Sequence, residues 1–222
     1  MRYLSVLLAI AVTFSGFSQE VRNIEPFTKI DVDESITVYL KEGSSKQVIV
    51  EADGDKTDRV IVENVGSTLK IHMKEGSWRS YDATVYVEYQ TLEEIEVSSS
   101  ADLYSESTIV ADDLEIEVNS SGFAELDVEV KNLDIEVSSS GKLELTGNAE
   151  YQRVAVSSSG KYYGYDLESG EAKIEANSSG KAEVTVSNKI DASASSSGRV
   201  TYRGKPEQVY ADSNSSGKVV EY

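Results

Sequence analysis

The side chains able to do chemistry in this chain are carboxylates, amines, phenols and hydroxyls. Its 222 residues hold 39 Asp and Glu against 21 Lys and Arg, a single His and no Cys. The missing Cys removes thiol nucleophiles, disulfides, zinc–cysteine sites and iron–sulfur clusters. One His, His72, leaves little for a His-based metal centre or a Ser–His–Asp arrangement. It lies in the alternating strand Leu69-Lys70-Ile71-His72-Met73, on the side opposite Ile71 and Met73, and is expected exposed. Paired carboxylates remain, and these are what cleavage of a glycosidic bond requires. The acids, however, recur at equivalent positions: Glu94, Glu115 and Asp134 in one set, Glu96, Glu117 and Glu136 in another. Stacked about 4.8 Å apart they repel one another. Solvent relieves such a column, and so would calcium. The calcium-binding repeat Gly-Gly-x-Gly-x-Asp is absent, and Asp53-Gly54-Asp55 is too short for an EF-hand loop. A solvated acidic face is the simpler reading, so neither metal nor other cofactor is expected. A net charge of −18 argues against nucleic acid as a partner.

The bases and phenols form a second constellation. Lys142, Lys161, Lys181, Arg199 and Lys218 each follow a Gly. Tyr163 and Tyr165 sit nearby, on the side of their strand opposite Tyr162. The candidate ligand surface is therefore Tyr163, Tyr165, Lys142, Lys161, Lys181 and Arg199, suited to an anionic glycan or a surface protein. The plainer reading of the cations is charge balance and a guard against edge pairing. Trp78, Arg79 and Tyr81 form a weaker candidate cluster.

What positions these groups is a repeat. The block Ser/Asn-Ser-Ser-Gly, once ending in Ala, closes at Ala101, Gly122, Gly141, Gly160, Gly180, Gly198 and Gly217, at intervals of 18 to 21 residues. A fixed period of this length means stacked units. Apolar residues alternate before each block (Ile95/Val97, Ile116/Val118, Ile135/Val137) and again after it (Leu143/Leu145, Val200/Tyr202), which is a strand period. No helical pattern fits between copies. The expected fold is all-β: a parallel β-helix, or β-solenoid, of coils of about 19 residues.

The blocks are its corners. Carrying the alternation forward from Ile95 and Val97 points Ser99 inward, and with it Ser120, Ser139, Ser158, Ser178, Ser196 and Ser215. The glycines Gly122, Gly141, Gly160, Gly180, Gly198 and Gly217 then supply a positive φ or a closely approached backbone. Seven equivalent serines with no base nearby read as geometry, not as a nucleophile, so no catalytic residue is assigned.

Residues 1–18 carry Arg2, an apolar run from Leu4 to Phe14, and small residues at Gly16 and Ser18, the pattern of a signal peptide cleaved before Gln19. Export across an inner membrane to the periplasm or cell surface is expected, and no later segment is apolar enough for a transmembrane helix. Residues 19–222 then form a single domain, with 93–222 as regular coils and 24–92 as irregular first coils or a cap. The last coil, Gly217 to Tyr222, carries no capping sequence. An exposed edge there, able to pair with a second copy, is expected.

Three stretches carry a family resemblance: Phe27-Thr28-Lys29-Ile30-Asp31-Val32, Ile36-Thr37-Val38-Tyr39-Leu40, and the coils ending in Asn/Ser-Ser-Ser-Gly. Together they resemble the auto-transporter adhesin head GIN domain family, secreted and surface proteins of Gram-negative bacteria, over residues 25–222. The resemblance implies a right-handed β-helix and brings no catalytic residues. A non-enzymatic secreted module, adhesive or structural, is the leading expectation. The alternative is a polysaccharide lyase or hydrolase on the same scaffold.

Overall fold

The computed structural model describes residues 17–54, 56–76 and 82–222. The expected signal peptide up to Gly16, Asp55, and the Trp78, Arg79 and Tyr81 cluster lie outside the described residues. Seventeen strands follow in chain order. The first nine are β1 (Phe17–Asn23), β2 (Lys29–Val32), β3 (Thr37–Glu42), β4 (Gln47–Asp53), β5 (Val60–Val65), β6 (Thr68–Met73), β7 (Ala83–Tyr89), β8 (Glu94–Val97) and β9 (Asp102–Ser105). The remainder are β10 (Ile109–Val118), β11 (Phe123–Val137), β12 (Lys142–Val156), β13 (Lys161–Ala176), β14 (Lys181–Ala194), β15 (Arg199–Gly204), β16 (Gln208–Ser213) and β17 (Lys218–Glu221). All belong to one sheet wound into a β-solenoid of about 7 turns.

Register follows the repeat. β11 lies parallel to β12 from Phe123↔Lys142 to Val137↔Val156. Each coil runs as a strand, a bend, a second strand and a tight turn. In β11 the buried positions are Ala124, Leu126, Val128 and Val130; Lys131 and Asn132 are both exposed, and burial resumes at Leu133, Ile135 and Val137. That phase break is the bend. Stacking puts Ile30, Ile95, Ile116, Ile135, Val154 and Ile174 in one inward column. Each fully buried side chain of this size contributes about 1.5–3 kcal/mol.

The turn differs from the expectation in one respect. Both central serines take positive φ, 49° at Ser120 and 67° at Ser121, and values within 2° of these recur at each block from Ser120 to Ser216. The Gly122 N–H donates to the Asn119 carbonyl at 2.7 Å, which makes a type I′ turn. The serines Ser99, Ser120, Ser139, Ser158, Ser178, Ser196 and Ser215 are therefore exposed, not inward. A two-residue count holds only along extended backbone, and left-handed residues break it. The glycine is required for the second of the two reasons considered: a Cβ on Gly141 would sit 2.4 Å from the Val118 carbonyl oxygen of the preceding coil. Serine in the left-handed region costs about 1–2 kcal/mol. The turns are tied to one another in return, the Ser121 N–H donating to the Ser139 carbonyl at 3.1 Å and so on up the stack.

Residues 24–92 supply both coils and a cap, and the coils are out of chain order. The β2–β3 coil lies between β8–β9 and a coil made of β6 and β7. Its turn, Asp33-Glu34-Ser35-Ile36, has positive φ at Glu34 and Ser35 and stacks on the Ser98–Ala101 turn, an eighth copy without the serine signature. Beyond the β6–β7 coil the pairing becomes antiparallel: β4 on β7, β1 on β4, β5 on β6. The Arg22 guanidinium donates to the carbonyls of Thr57 and Val60, fastening β1 to the start of β5.

A chain of polar side chains runs through the interior between the successive coils of β12 and β13. Tyr162 is fully buried where its column holds Leu143 and Ala182. Its hydroxyl donates to Gln152 Oε1 at 3.0 Å, Gln152 Nε2 donates to Ser169 Oγ at 2.7 Å, and Ser169 Oγ donates to the Thr185 carbonyl at 2.9 Å. Gly164 makes room, since a Cβ there would meet the Tyr162 hydroxyl at 2.4 Å.

Candidate ligand-binding face

The strand that leaves each turn presents its first and third residues outward. In the first outward column stand Thr84, Thr37, Asp102, Phe123, Lys142, Lys161, Lys181, Arg199 and Lys218. In the second stand Tyr86, Tyr39, Tyr104, Glu125, Glu144, Tyr163, Glu183, Thr201 and Val220. One face of the rod thus carries an aromatic half and a cationic half. The stack brings Lys142, Lys161, Lys181 and Arg199 into one file, with Tyr163 in the neighbouring file and Tyr165 farther along the same strand.

In the aromatic half, Tyr39 lies between Tyr86 and Tyr104, with ring centroids 5.5 and 5.4 Å apart and planes 16° and 20° from parallel. Phe123 meets Tyr104 edge-on at 5.7 Å. The tyrosine faces within the stack cover one another, so only ring edges and hydroxyls look outward. This is cross-strand packing that stabilises the sheet. Burial pushes the phenols of Tyr86 and Tyr104 up, and neighbouring carboxylates add to it. Sequence reading missed this run because Tyr86 stacks on Tyr39 only through the exchanged order of the coils. The available signal was a Tyr at the same place in three alternating strands, Val38-Tyr39-Leu40, Val85-Tyr86-Val87 and Leu103-Tyr104.

In the cationic half, Lys142 differs from the others. Its ammonium pairs with Glu144, lies 4.9 Å from the Phe123 ring centroid and 5.3 Å from that of Tyr163. Glu144 holds its proton affinity above the ordinary lysine value. Lys161, Lys181, Arg199 and Lys218 are exposed and make no ion pair among the described residues. Beside them the Arg203 guanidinium is clamped between Tyr165 at 3.8 Å and Tyr222 at 4.4 Å. Its Nε is buried without a hydrogen-bond partner. Tyr162, on the inner side of the same strand, belongs to the core.

The second strands of the coils that end in β8, β10 and β11 carry the acids. Glu94, Glu115 and Asp134 align, as do Glu96, Glu117 and Glu136. The first column has a cation at both ends and the second at one. Lys29 pairs with Glu94, Lys70 with Asp31 at 2.6 Å in the column of Glu96, and Arg153 approaches Asp134 at 3.7 Å. Burial raises the Glu96 carboxyl above its ordinary value, with Asp31 and Glu117 adding to it. A groove of about 760 Å³ runs along the bend, with Ala111, Val130, Ala149 and Val186 on its floor and Asp112, Glu129, Glu150 and Glu168 exposed at its rim. Among the described residues no three His, Cys, Asp or Glu converge on a metal position. His72 is half-buried, its Nδ1 3.0 Å from the Met73 carbonyl and its Nε2 3.7 Å from Glu63.

The coil geometry and the comparisons agree. Residues 26–206 match the model of the family described as "putative auto-transporter adhesin, head GIN domain". The chain belongs to this family. Among solved structures, a "putative adhesin" from Bacteroides fragilis superposes with a TM-score of 0.81 at 16% identity, covering 94% of this chain and 98% of that one. A "putative adhesin" from Parabacteroides merdae gives 0.76 at 20% identity over 94% and 97%. A "putative lipid binding protein" from Parabacteroides distasonis gives 0.73 at 20% identity over the same shares. At these identities the likeness is one of fold. No curated protein matches the chain. Among the described residues no helix is long and apolar enough to cross a membrane.

Proposed function

We propose that the protein is a non-enzymatic binding module of the adhesive type, working outside the cytoplasm at or near the cell surface. The observation that carries this is the cationic half of the outer face: a file of exposed, unpaired cations beside Tyr163 and Tyr165 on a chain of net charge −18. Like charges held this close cost stability, and a partner that neutralises them accounts for their presence. Repeat proteins bind through such extended surfaces more often than through one deep pocket. Family membership and neighbours described as adhesins support the same reading.

The test is binding of the purified protein to a panel of glycans and matrix proteins, with product release followed in the same wells. Saturable binding without products is expected. Product release would replace this reading with the second one, a polysaccharide-active enzyme, which the carboxylate-rimmed groove favours. We also propose that the last coil pairs with a second copy. Among the described residues β16 pairs with β14 alone and β17 with β15 alone, and Val209, Tyr210 and Tyr222 are exposed there. Sedimentation at rising concentration would show association; a monomer throughout would exclude it.

A further inference from the structure

We infer that the ligand of the cationic half is a linear polyanionic polysaccharide, laid along the solenoid axis over Lys161, Lys181, Arg199 and Lys218. The inference rests on the binding-module reading above and names its ligand class. Three features of the surface carry it.

The first is unsatisfied charge. Five lysines elsewhere on the rod pair with carboxylates (Lys29 with Glu94, Lys70 with Asp31, Lys131 with Asp112, Lys142 with Glu144, Lys173 with Glu175), and those that do not, such as Lys41, Lys46, Lys74, Lys189 and Lys205, are scattered and form no file. The four cations of consecutive coils have none, although acids outnumber bases in the chain. Arg203, with its partnerless Nε, adds a fifth positive group on the same strand as Arg199.

The second is width. The cation file is one side chain wide. Glu144 and Glu183 stand in the file next to it. A nucleic-acid duplex or a broad acidic protein surface would set further negative charge against those carboxylates. A single-file polyanion would not.

The third is chemistry along the repeat. Strand spacing places one cation about every 4.8 Å. On the other side of the file run the exposed serines of the turns, two per coil, such as Ser178 and Ser179 before Lys181. A polyuronate carries one carboxylate per sugar ring and ring hydroxyls between them. Its charges meet the ammonium and guanidinium groups in charge-assisted hydrogen bonds. Its hydroxyls meet the serine Oγ atoms, which donate and accept.

The experiment titrates the protein with polygalacturonate and heparin, and in parallel with neutral dextran, poly-glutamate, duplex DNA and the matrix-protein panel. The two polyanionic polysaccharides should bind, with log affinity falling against log salt at a slope of about −3, as expected when four cations release counterions. A variant with Lys161→Glu, Lys181→Glu, Arg199→Glu and Lys218→Glu should lose about 100-fold or more in affinity, and the corresponding Gln variant should lose less. A control with the same charge change elsewhere, at Lys46, Lys74, Lys189 and Lys205, should keep most of the binding. All eight positions lie outside the core, and circular dichroism melts check the fold of each variant. Equal loss in the control overturns the inference, as does equal binding of poly-glutamate or DNA. Binding confined to neutral glycans or matrix proteins overturns it but leaves the binding module standing. Silence toward the whole panel overturns both.

Discussion

The acid columns, on β8, β10 and β11, and the cation file, on β13, β14, β15 and β17, stand on one solenoid at the same spacing, yet they are finished differently. Asp31, Glu96, Glu117 and Glu136 run up the second strands, with Lys70 paired to Asp31 at one end. Glu94, Glu115 and Asp134 are closed by Lys29 at one end and Arg153 at the other. The chain has spent cations on its own carboxylates there. From Lys161 to Lys218 it has spent no carboxylates on its cations. A repeat copies every exposed charge into a column, whatever that column is for. The informative quantity is therefore whether a column has any ion pair of its own. By that measure the acid columns read as a solvated surface and the cation file as a surface that awaits something.

The largest effect comes from removing the spacing both columns share. Gly160→Ala drives a Cβ into the Val137 carbonyl oxygen, 2.5 Å away. The obstacle is backbone, so the coils must part. Overpacking of this kind costs about 1–3 kcal/mol, with the upper end expected here, and the loss is read as a lower urea midpoint. If the Ala variant melts like the parent, the closeness of the coils at the turns is not what sets the spacing.

Next in size is the core beneath the cation file. Tyr162→Phe removes the donor to Gln152 and strands that carbonyl inside the solenoid. A loss of about 1–3 kcal/mol is expected. Tyr162→Phe together with Gln152→Leu should recover part of it, because the stranded Gln152 carbonyl is gone while Ser169 Oγ keeps its bond to the Thr185 carbonyl. Recovery below that of the single mutant would mean that the Ser169 branch of the chain matters more than Tyr162.

The sequence displayed the coils, the strand period and the shared file of the basic residues, because these depend only on alternation and a repeat length. It hid what depends on backbone sign and coil order. Ser120 and its equivalents counted as inward because left-handed φ is invisible to a two-residue count. The Asp33–Ile36 turn escaped because Glu34 and Ile36 replace the serine and glycine of the signature. The Tyr86–Tyr39–Tyr104 stack escaped because residues 68–89 form the coil outside residues 29–42. Arg203 was passed over because the contacts that define it, Tyr165 and Tyr222, come from coils far apart in sequence.

A smaller effect separates the two kinds of column directly. Lys70→Met leaves Asp31 and Glu96 facing each other without their cation, and should cost up to about 1 kcal/mol, more at low salt than at high. Lys181→Met should cost nothing measurable and, by thinning a like-charged file, should raise the melting temperature slightly at low salt. Equal losses from the two variants would erase the contrast between a neutralised and an unneutralised column.

The smallest expected effect is the pH response of the acid columns. Glu96 is raised by burial first and then by Asp31, Glu117 and Asp33, with Lys70 working against them; Asp102 is raised by burial. A carboxyl whose folded-state value lies above its unfolded value is favoured protonated in the fold. The stability it contributes is fully present below the unfolded value and is lost as pH rises through the folded one. Acidification from neutral toward the ordinary carboxylate range should therefore raise the melting temperature by about 1–2 °C before general acid denaturation begins. Glu96→Gln should be more stable than the parent at pH 7 and should flatten that rise. Substitutions in the cation file should leave it unchanged, since none of its members faces Glu96. A melting temperature that falls steadily from pH 7 downward would mean that the acid column is neutralised more fully than its Lys70 and Lys29 ends provide, whereas a rise that survives Glu96→Gln in full would move its origin to Asp102 or another buried carboxyl.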